Sequence, residues 1–230
     1  MQKYLDKLLT KYLVPATAEL SDNGAVTVNG KKLPLLPWRA ERRFVELKKL
    51  VTDGEINGIS VMRTLRIVRR GDNLYNELYR ELDLCRYILS TEISEIFVIG
   101  DVNYALNVIA ATKDGYVCTL ELSATLAENE AIIDKHEIIA QSGVACDRVA
   151  DTQVPQNSIY VFGGKQPAEA YTDVDAELFG LNIDECAVVR SAFEIVKTNT
   201  DLSADESKLN TLIDCAKRSH KTCENIVIGG

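Results

Sequence analysis

At the start of the chain, Tyr4, Leu5, Leu8, Leu9, Tyr12 and Leu13 recur at helical spacing with Lys3, Asp6, Lys7 and Lys11 between them, and Pro15 closes the segment. Asp22-Asn23-Gly24 and Asn29-Gly30 then bracket Ala25-Val26-Thr27-Val28, the pattern of a tight strand pair whose turns need positive φ. Residues 1–37 therefore read as an N-terminal appendage of helix and hairpin ahead of a domain spanning 38–230.

Helical spacing returns from Trp38 to Val51 and stops at Asp53-Gly54, and Gly58 to Val68 alternates as a strand. From Leu74 to Leu89 the period is helical again. Leu74, Leu78, Leu82, Cys85 and Leu89 form one stripe, and Asn76, Arg80, Asp83 and Tyr87 form a polar stripe on the opposite side. Beyond Ile93 the chain reads as β at Ile96–Ile99, Tyr104–Thr112, Tyr116–Leu126, Lys135–Gln141, Val144–Val149, Ser158–Phe162 and about Ala170–Asp175. Short turns between consecutive strands imply antiparallel pairs. In Val117–Thr125, Cys118, Leu120, Leu122 and Ala124 oppose Thr119, Glu121, Ser123 and Thr125, so one sheet face is apolar and the other polar. Two closing helices carry capping signals, Asn182-x-x-Glu185 and Ser203-x-x-Glu206. Together these elements predict an α+β fold, an open and mostly antiparallel sheet with helices packed on one face.

Composition narrows the function. With 230 residues, 46% of them hydrophobic, the chain can bury a sizeable core. A net charge of -8 argues against nucleic acid and against an anionic membrane as partner, because the summed field repels polyanions. No apolar run approaches the ~18–20 residues that span a bilayer, and the N-terminus lacks a signal-peptide pattern, so a cytoplasmic protein is expected. The six cysteines lie far apart with no C-x-x-C pair and only two histidines beside them. They are expected as reduced, mostly buried thiols, with no metal site and no redox motif.

Other candidate motifs are weak. Ile99-Gly100-Asp101-Val102-Asn103-Tyr104-Ala105 has one glycine where a dinucleotide fingerprint needs three. Phe162-Gly163-Gly164-Lys165 reads as a turn rather than a phosphate loop, and Ile226–Gly230 as a frayed strand end. Arg63, Arg66, Arg69 and Arg70 suit an anion, but strand alternation sends Arg63 and Arg66 to opposite faces, which favours a solvated or salt-bridged strand end. His136, in a strand, and His220, placed in the tail after the last helix, have no nucleophile set beside them by sequence.

Several segments, in order, resemble the C-terminal domain of the glucose-fructose oxidoreductase and inositol dehydrogenase family (Gfo/Idh/MocA). Arg39 followed by Gly54-Glu55-Ile56 looks like that family's strand-exit arginine and G-x-I-G turn, although Ala40 replaces a phenylalanine and the turn carries an extra residue. Gly71 to Ile88, GDNLYNELYRELDLCRYI, is similar to its G-G-x-L-x-D-x-x-x-H-x-x-D helix. His136 to Asp147 resembles its strand pair, and Leu212 to Ser219 its closing helix. The resemblance covers roughly residues 38–228 and rests on order and spacing.

It implies an open-sheet domain that supplies substrate contacts and an oligomer interface, with NAD(P) held by a Rossmann domain of which residues 1–37 carry no fingerprint. The family's catalytic aspartate and histidine correspond here to Asn76 and Arg80. An amide does not exchange a proton near neutral pH, and arginine, with a pKa above about 12, cannot serve as a base. No catalytic residue is therefore expected, and no cofactor for this chain unless a separate nucleotide-binding subunit supplies NAD(P). The residues left as ligand contacts are Arg39, Asn76, Arg80, Asp83 and Tyr87. Three roles are open: a catalytically degenerate binding or oligomerisation module that self-associates through its sheet, the substrate half of a split sugar or cyclitol oxidoreductase, or a small-molecule sensor with a pocket beside Arg80 and Arg39.

Overall fold

A computed structural model describes residues 1–21, 24–147, 158–162, 169–172 and 175–229. In chain order the helices are α1 (Gln2–Lys11), α2 (Arg42–Thr52), α3 (Leu74–Leu89), α4 (Asp175–Phe179), α5 (Ile183–Thr198) and α6 (Ser203–Thr222). The strands are β1 (Ala18–Ser21), β2 (Ala25–Val28), β3 (Lys31–Pro34), β4 (Ile59–Arg69), β5 (Ile93–Asp101), β6 (Ala105–Thr112), β7 (Val117–Leu126), β8 (Ile133–Ala140), β9 (Gly143–Cys146), β10 (Ser158–Phe162), β11 (Glu169–Thr172) and β12 (Ile226–Val227). The fold is α+β, as the periodicity predicts.

The chain divides into two compact units, Met1–Val45 with Asp173–Lys208, and Glu46–Thr172 with Leu209–Gly230. In the first, residues 1–37 share a core with α5. Leu5 and Leu9 of α1 pack with Val26, Leu33 and Leu35 of the three-stranded β1-β2-β3 sheet and with Ala192, Phe193 and Val196. The asparagine cap of α5 forms as predicted, Asn182 accepting from Glu185 N while the Glu185 side chain accepts from Asn182 N. The cap expected at Ser203 differs. Ser203 lies inside α6, and its backbone N and hydroxyl both donate to Asp201 Oδ1, because an aspartate two residues upstream reaches those donors first.

The second unit is built on a nine-stranded sheet of order β11-β10-β9-β8-β4-β7-β6-β5-β12. Neighbours are antiparallel except β4 and β7, which run parallel. The short-turn rule holds for β5-β6-β7 and β8-β9 but not between β7 and β8, where β4 is inserted. Helix α3 lies over β7 and β4, and the predicted alternation is met: Cys118, Leu120, Leu122 and Ala124 are buried with Met62, Val68 and Ile138. The opposite face leaves Ile99 and Ile109 exposed.

Two expectations shift at element ends. The helix foreseen from Trp38 is a 3-10 turn, Pro37–Ala40, followed by α2, because Glu41 is extended at φ -65 and ψ 127. The strand foreseen at Val144–Val149 ends at Cys146, with residues 148 and 149 outside the described set. Gly163-Gly164-Lys165 and Asp22-Asn23 also lie outside it. The terminal Ile226–Val227 pairs with Ile96 and Glu95.

Candidate functional site

Helix α3 begins where Asn73 accepts a hydrogen bond from Tyr75 N at 2.9 Å, and it ends where Ser90 turns left-handed at φ 53. These caps match the predicted boundaries and fix which side chains face the sheet. Glu81 falls three residues after Leu78 and four before Cys85, on the apolar stripe, and is fully buried. Opposite it, the two-residue alternation of β4 and β8 sets Thr64 and Arg66 beside His136 and Asp134 on the covered face, in the registers Thr64↔His136 and Arg66↔Asp134. A charged layer thus crosses the core.

Its centre is His136, which is fully buried. The ring donates through Nδ1 to Asp147 Oδ2 at 2.7 Å and through Nε2 to Glu81 Oε2 at 2.9 Å, while His136 N donates to Asp147 Oδ1 at 2.7 Å. Arg80 Nη1 donates to Glu81 Oε1 and Arg80 Nη2 stands 3.6 Å from Asp134 Oδ2. Arg66 bridges Glu77 and Asp134, the latter at 3.2 Å. Among the described residues, four carboxylates therefore face two guanidiniums and one imidazole.

The ring does hold its proton. Burial pushes its pKa down, but the flanking Glu81 and Asp147 carboxylates outweigh burial and lift it to about 9. Burial likewise pushes Glu81 up, and the His136, Arg80 and Arg66 charges reverse this and bring it down to about 2. His136 is an imidazolium at neutral pH, with both nitrogens used as donors.

Oxygens of Asp134 and Asp147 and a ring nitrogen of His136 lie within 4.8 Å of one another, a spacing a metal ion could bridge. Here His136 Nδ1 bonds Asp147, Nε2 bonds Glu81, and two guanidiniums stand on Asp134.

The α3 residues singled out from sequence do not converge. Arg80 joins the charged layer. Asp83, fully buried, sits 3.5 Å from Arg86 Nη1, and Arg86 forms a fork on Glu92 at 2.8 and 3.2 Å. Tyr87 lies under the Lys48 ammonium, 4.1 Å from the ring centroid. Asn76 is exposed. Arg39 belongs to the other unit, where it pairs with Asp205 at 2.9 Å. The polar stripe of α3 is solvated only at Asn76 and partly at Tyr87, because Arg80 and Asp83 turn inward to partners that the helical period alone does not reveal.

Of the strand arginines, Arg63 pairs with Glu137 on one face and Arg66 with Glu77 on the other, the salt-bridged reading. His220 lies within α6, not in a tail after it. Its Nε2 donates to Gly100 O at 3.0 Å, so Nδ1 accepts from the Tyr75 hydroxyl at 2.8 Å. Four cysteines are buried and all six are free thiols. A hydrogen bond with Cys118, together with burial, holds the Cys85 thiol well above its usual pKa, so it stays protonated.

Glu81 and Asp147 were the residues that sequence reasoning missed. For Glu81 the available signal was an acid placed on an otherwise apolar helical stripe, which calls for a buried partner.

Solved structures share this arrangement of sheet and helices. The chain matches an oxidoreductase domain protein from Kribbella flavida at 14% identity and a TM-score of 0.66, covering 85% of this chain and 66% of that one. A putative myo-inositol dehydrogenase from Sinorhizobium meliloti matches at 15% identity, TM-score 0.63, over 86% and 65%. A scyllo-inositol dehydrogenase from Lactobacillus casei with bound NAD(H) and scyllo-inositol matches at 15%, TM-score 0.61, over 85% and 64%. The fold is that of the Gfo/Idh/MocA C-terminal domain. No family model and no curated protein sequence matches the chain. The Gfo/Idh/MocA likeness is thus one of fold, and the chain spans about two thirds of the length of each of these three oxidoreductases. Among the described residues no helix is long and apolar enough to cross a membrane.

Proposed function

We propose that this chain is a catalytically degenerate relative of the oxidoreductase C-terminal domain, working in the cytoplasm as a binding or assembly module that self-associates through the uncovered face of its sheet. The observation that carries this reading is Arg80. At the position of the family's catalytic histidine stands a side chain only 9% exposed and ion-paired with Glu81. Breaking that pair to free the helix for chemistry would leave the buried Glu81 carboxylate with one cationic partner fewer, which is destabilising. One turn earlier, Asn76 offers an amide, which neither gives nor takes a proton at neutral pH. The exposed Ile99 and Ile109 support the assembly role, since apolar side chains on an open sheet favour a covering partner.

Two measurements on the purified chain test this. A fluorescence titration with NADH is expected to show no binding, and sedimentation velocity at micromolar concentration a dimer or larger species. Hydride transfer by the purified chain with an inositol and NAD would overturn the reading, as would a strict monomer for its assembly part. A second reading, the substrate half of a split oxidoreductase, draws support from the NAD(H) and scyllo-inositol named for the Lactobacillus casei neighbour. A nucleotide-binding subunit that co-purifies and confers NAD(P) binding would favour it.

A further inference from the structure

We propose that charge sets the register of this self-association: Glu121 of one copy packs against Arg63 and Lys135 of the second. The inference rests on the assembly reading above and adds which ends of the face meet. The pairings Lys135↔Leu65, Leu65↔Glu121 and Asn107↔Glu121 lay one row of side chains across the uncovered face, from β8 through β4 and β7 to β6. The next row holds Glu137 beside Arg63. Lys135 and Glu121 stand two strands apart, about 10 Å at ~4.8 Å per strand, and among the described residues they form no ion pair within one copy.

The two ends of the row differ in charge. Towards β8, Lys135 of that strand and Arg63 of the neighbouring β4 share the single carboxylate of Glu137, at 3.6 and 3.5 Å, which leaves one surplus positive charge. At the other end, Glu121 is exposed and its side chain has no ion-pair or hydrogen-bond partner among the described residues. It lies in a depression of about 400 Å³ whose lining includes Leu65, Ile67 and Ile99. Ile109, 52% exposed, and Val117 extend the apolar surface beside it.

A second copy fits this surface better than an unrelated acidic or basic partner. A wholly acidic partner would leave Glu121 unmatched, and a wholly basic one would oppose Arg63 and Lys135. A two-fold axis lying between facing sheets brings the negative end of each copy over the positive end of the other, twice, with the apolar residues between. This local match is needed because two chains each carrying a net charge of -8 otherwise repel.

The test uses complementary charge reversals on the full chain. E121K alone sets lysine against Arg63 and Lys135, and R63E/K135E alone sets glutamate against Glu121. Each is expected to raise the dimer dissociation constant at least about tenfold by sedimentation equilibrium. Mixed in equal amounts they restore both attractions, so a heterodimer should form within about threefold of the wild-type constant, seen by native mass spectrometry. All three altered side chains lie wholly or partly in solvent, and unchanged circular dichroism and Tm confirm that the variants are folded. A monomeric wild type would overturn the assembly reading itself. A dimeric wild type with E121K unaffected, or with weakened single variants that do not complement, would overturn the register while leaving assembly intact.

Discussion

Replacing His136 with glutamine tests whether the buried layer is held by a fixed positive charge. Its folded-state pKa of about 9 lies above the ordinary 6.5. Such a raised value contributes stability that is fully present below pH ~6.5 and is lost as pH rises towards 9. At about 1.4 kcal/mol per pKa unit, the loss across that window is about 3 kcal/mol. Urea unfolding of the wild-type chain, followed by far-UV circular dichroism at pH 6, 7.5 and 9.5, should show a falling midpoint with an unchanged slope. In a chain of this size 3 kcal/mol corresponds to a Tm decrease of roughly 6–12 °C. His136→Gln loses the charge at every pH. It is expected to be destabilised by about 3–5 kcal/mol at pH 6, because buried Glu81 and Asp147 each lose a cationic partner. Its stability should then be nearly flat from pH 6 to 9.5. A wild type that changes by less than about 1 kcal/mol over this range, or a variant with the same slope as wild type, would refute the imidazolium assignment.

Two further substitutions probe the frame around this layer. Gly100→Ala places a Cβ 2.1 Å from the Ala105 carbonyl oxygen at a φ of 129, so backbone must move; a loss above about 3 kcal/mol is expected, and a wild-type Tm would contradict the hairpin geometry. Asn182→Ala removes one half of the α5 capping box and should cost about 1 kcal/mol in a urea titration, whereas no change would mean the box contributes nothing in solution.

What the sequence made legible follows from the range of each signal. The ends of α3 were readable because their causes are local: Asn73 caps one end and the apolar stripe runs out at the other. The two faces of β7 were readable because alternation requires only neighbouring residues. The insertion of β4 between β7 and β8 was not, since it depends on hydrogen bonding between residues as far apart as Val61 and Val117 or Ile59 and Ala140, and no local pattern encodes it. The site followed the same division. Asn76 and Arg80 could be recognised as departures from a motif, and their chemistry follows from the side chains alone. That Arg80 and Asp83 turn inward depends on Glu81, Arg86 and Asp134, and the register Arg66↔Asp134 that supplies the last of these exists only once β4 and β8 have paired.

The charges in the layer also argue about function. A residue that moves protons at neutral pH needs a pKa near 7, which active sites reach by withholding full compensation from a buried group. Here the reverse has been arranged. Glu81 is held down to about 2 and His136 up to about 9, each by the other and by the arginines or Asp147 around them. Between roughly pH 3 and 8 neither group changes its protonation state. Buried ion pairs of this kind add little net stability over apolar packing, but they penalise every alternative seating in which a charge loses its partner. Arg80 and Glu81 of α3 can meet Asp134 and His136 of β8 in one register only, since a shift of one residue along the strand turns both partners to the uncovered face. The layer therefore acts as a lock that seats α3 on the sheet in a single register.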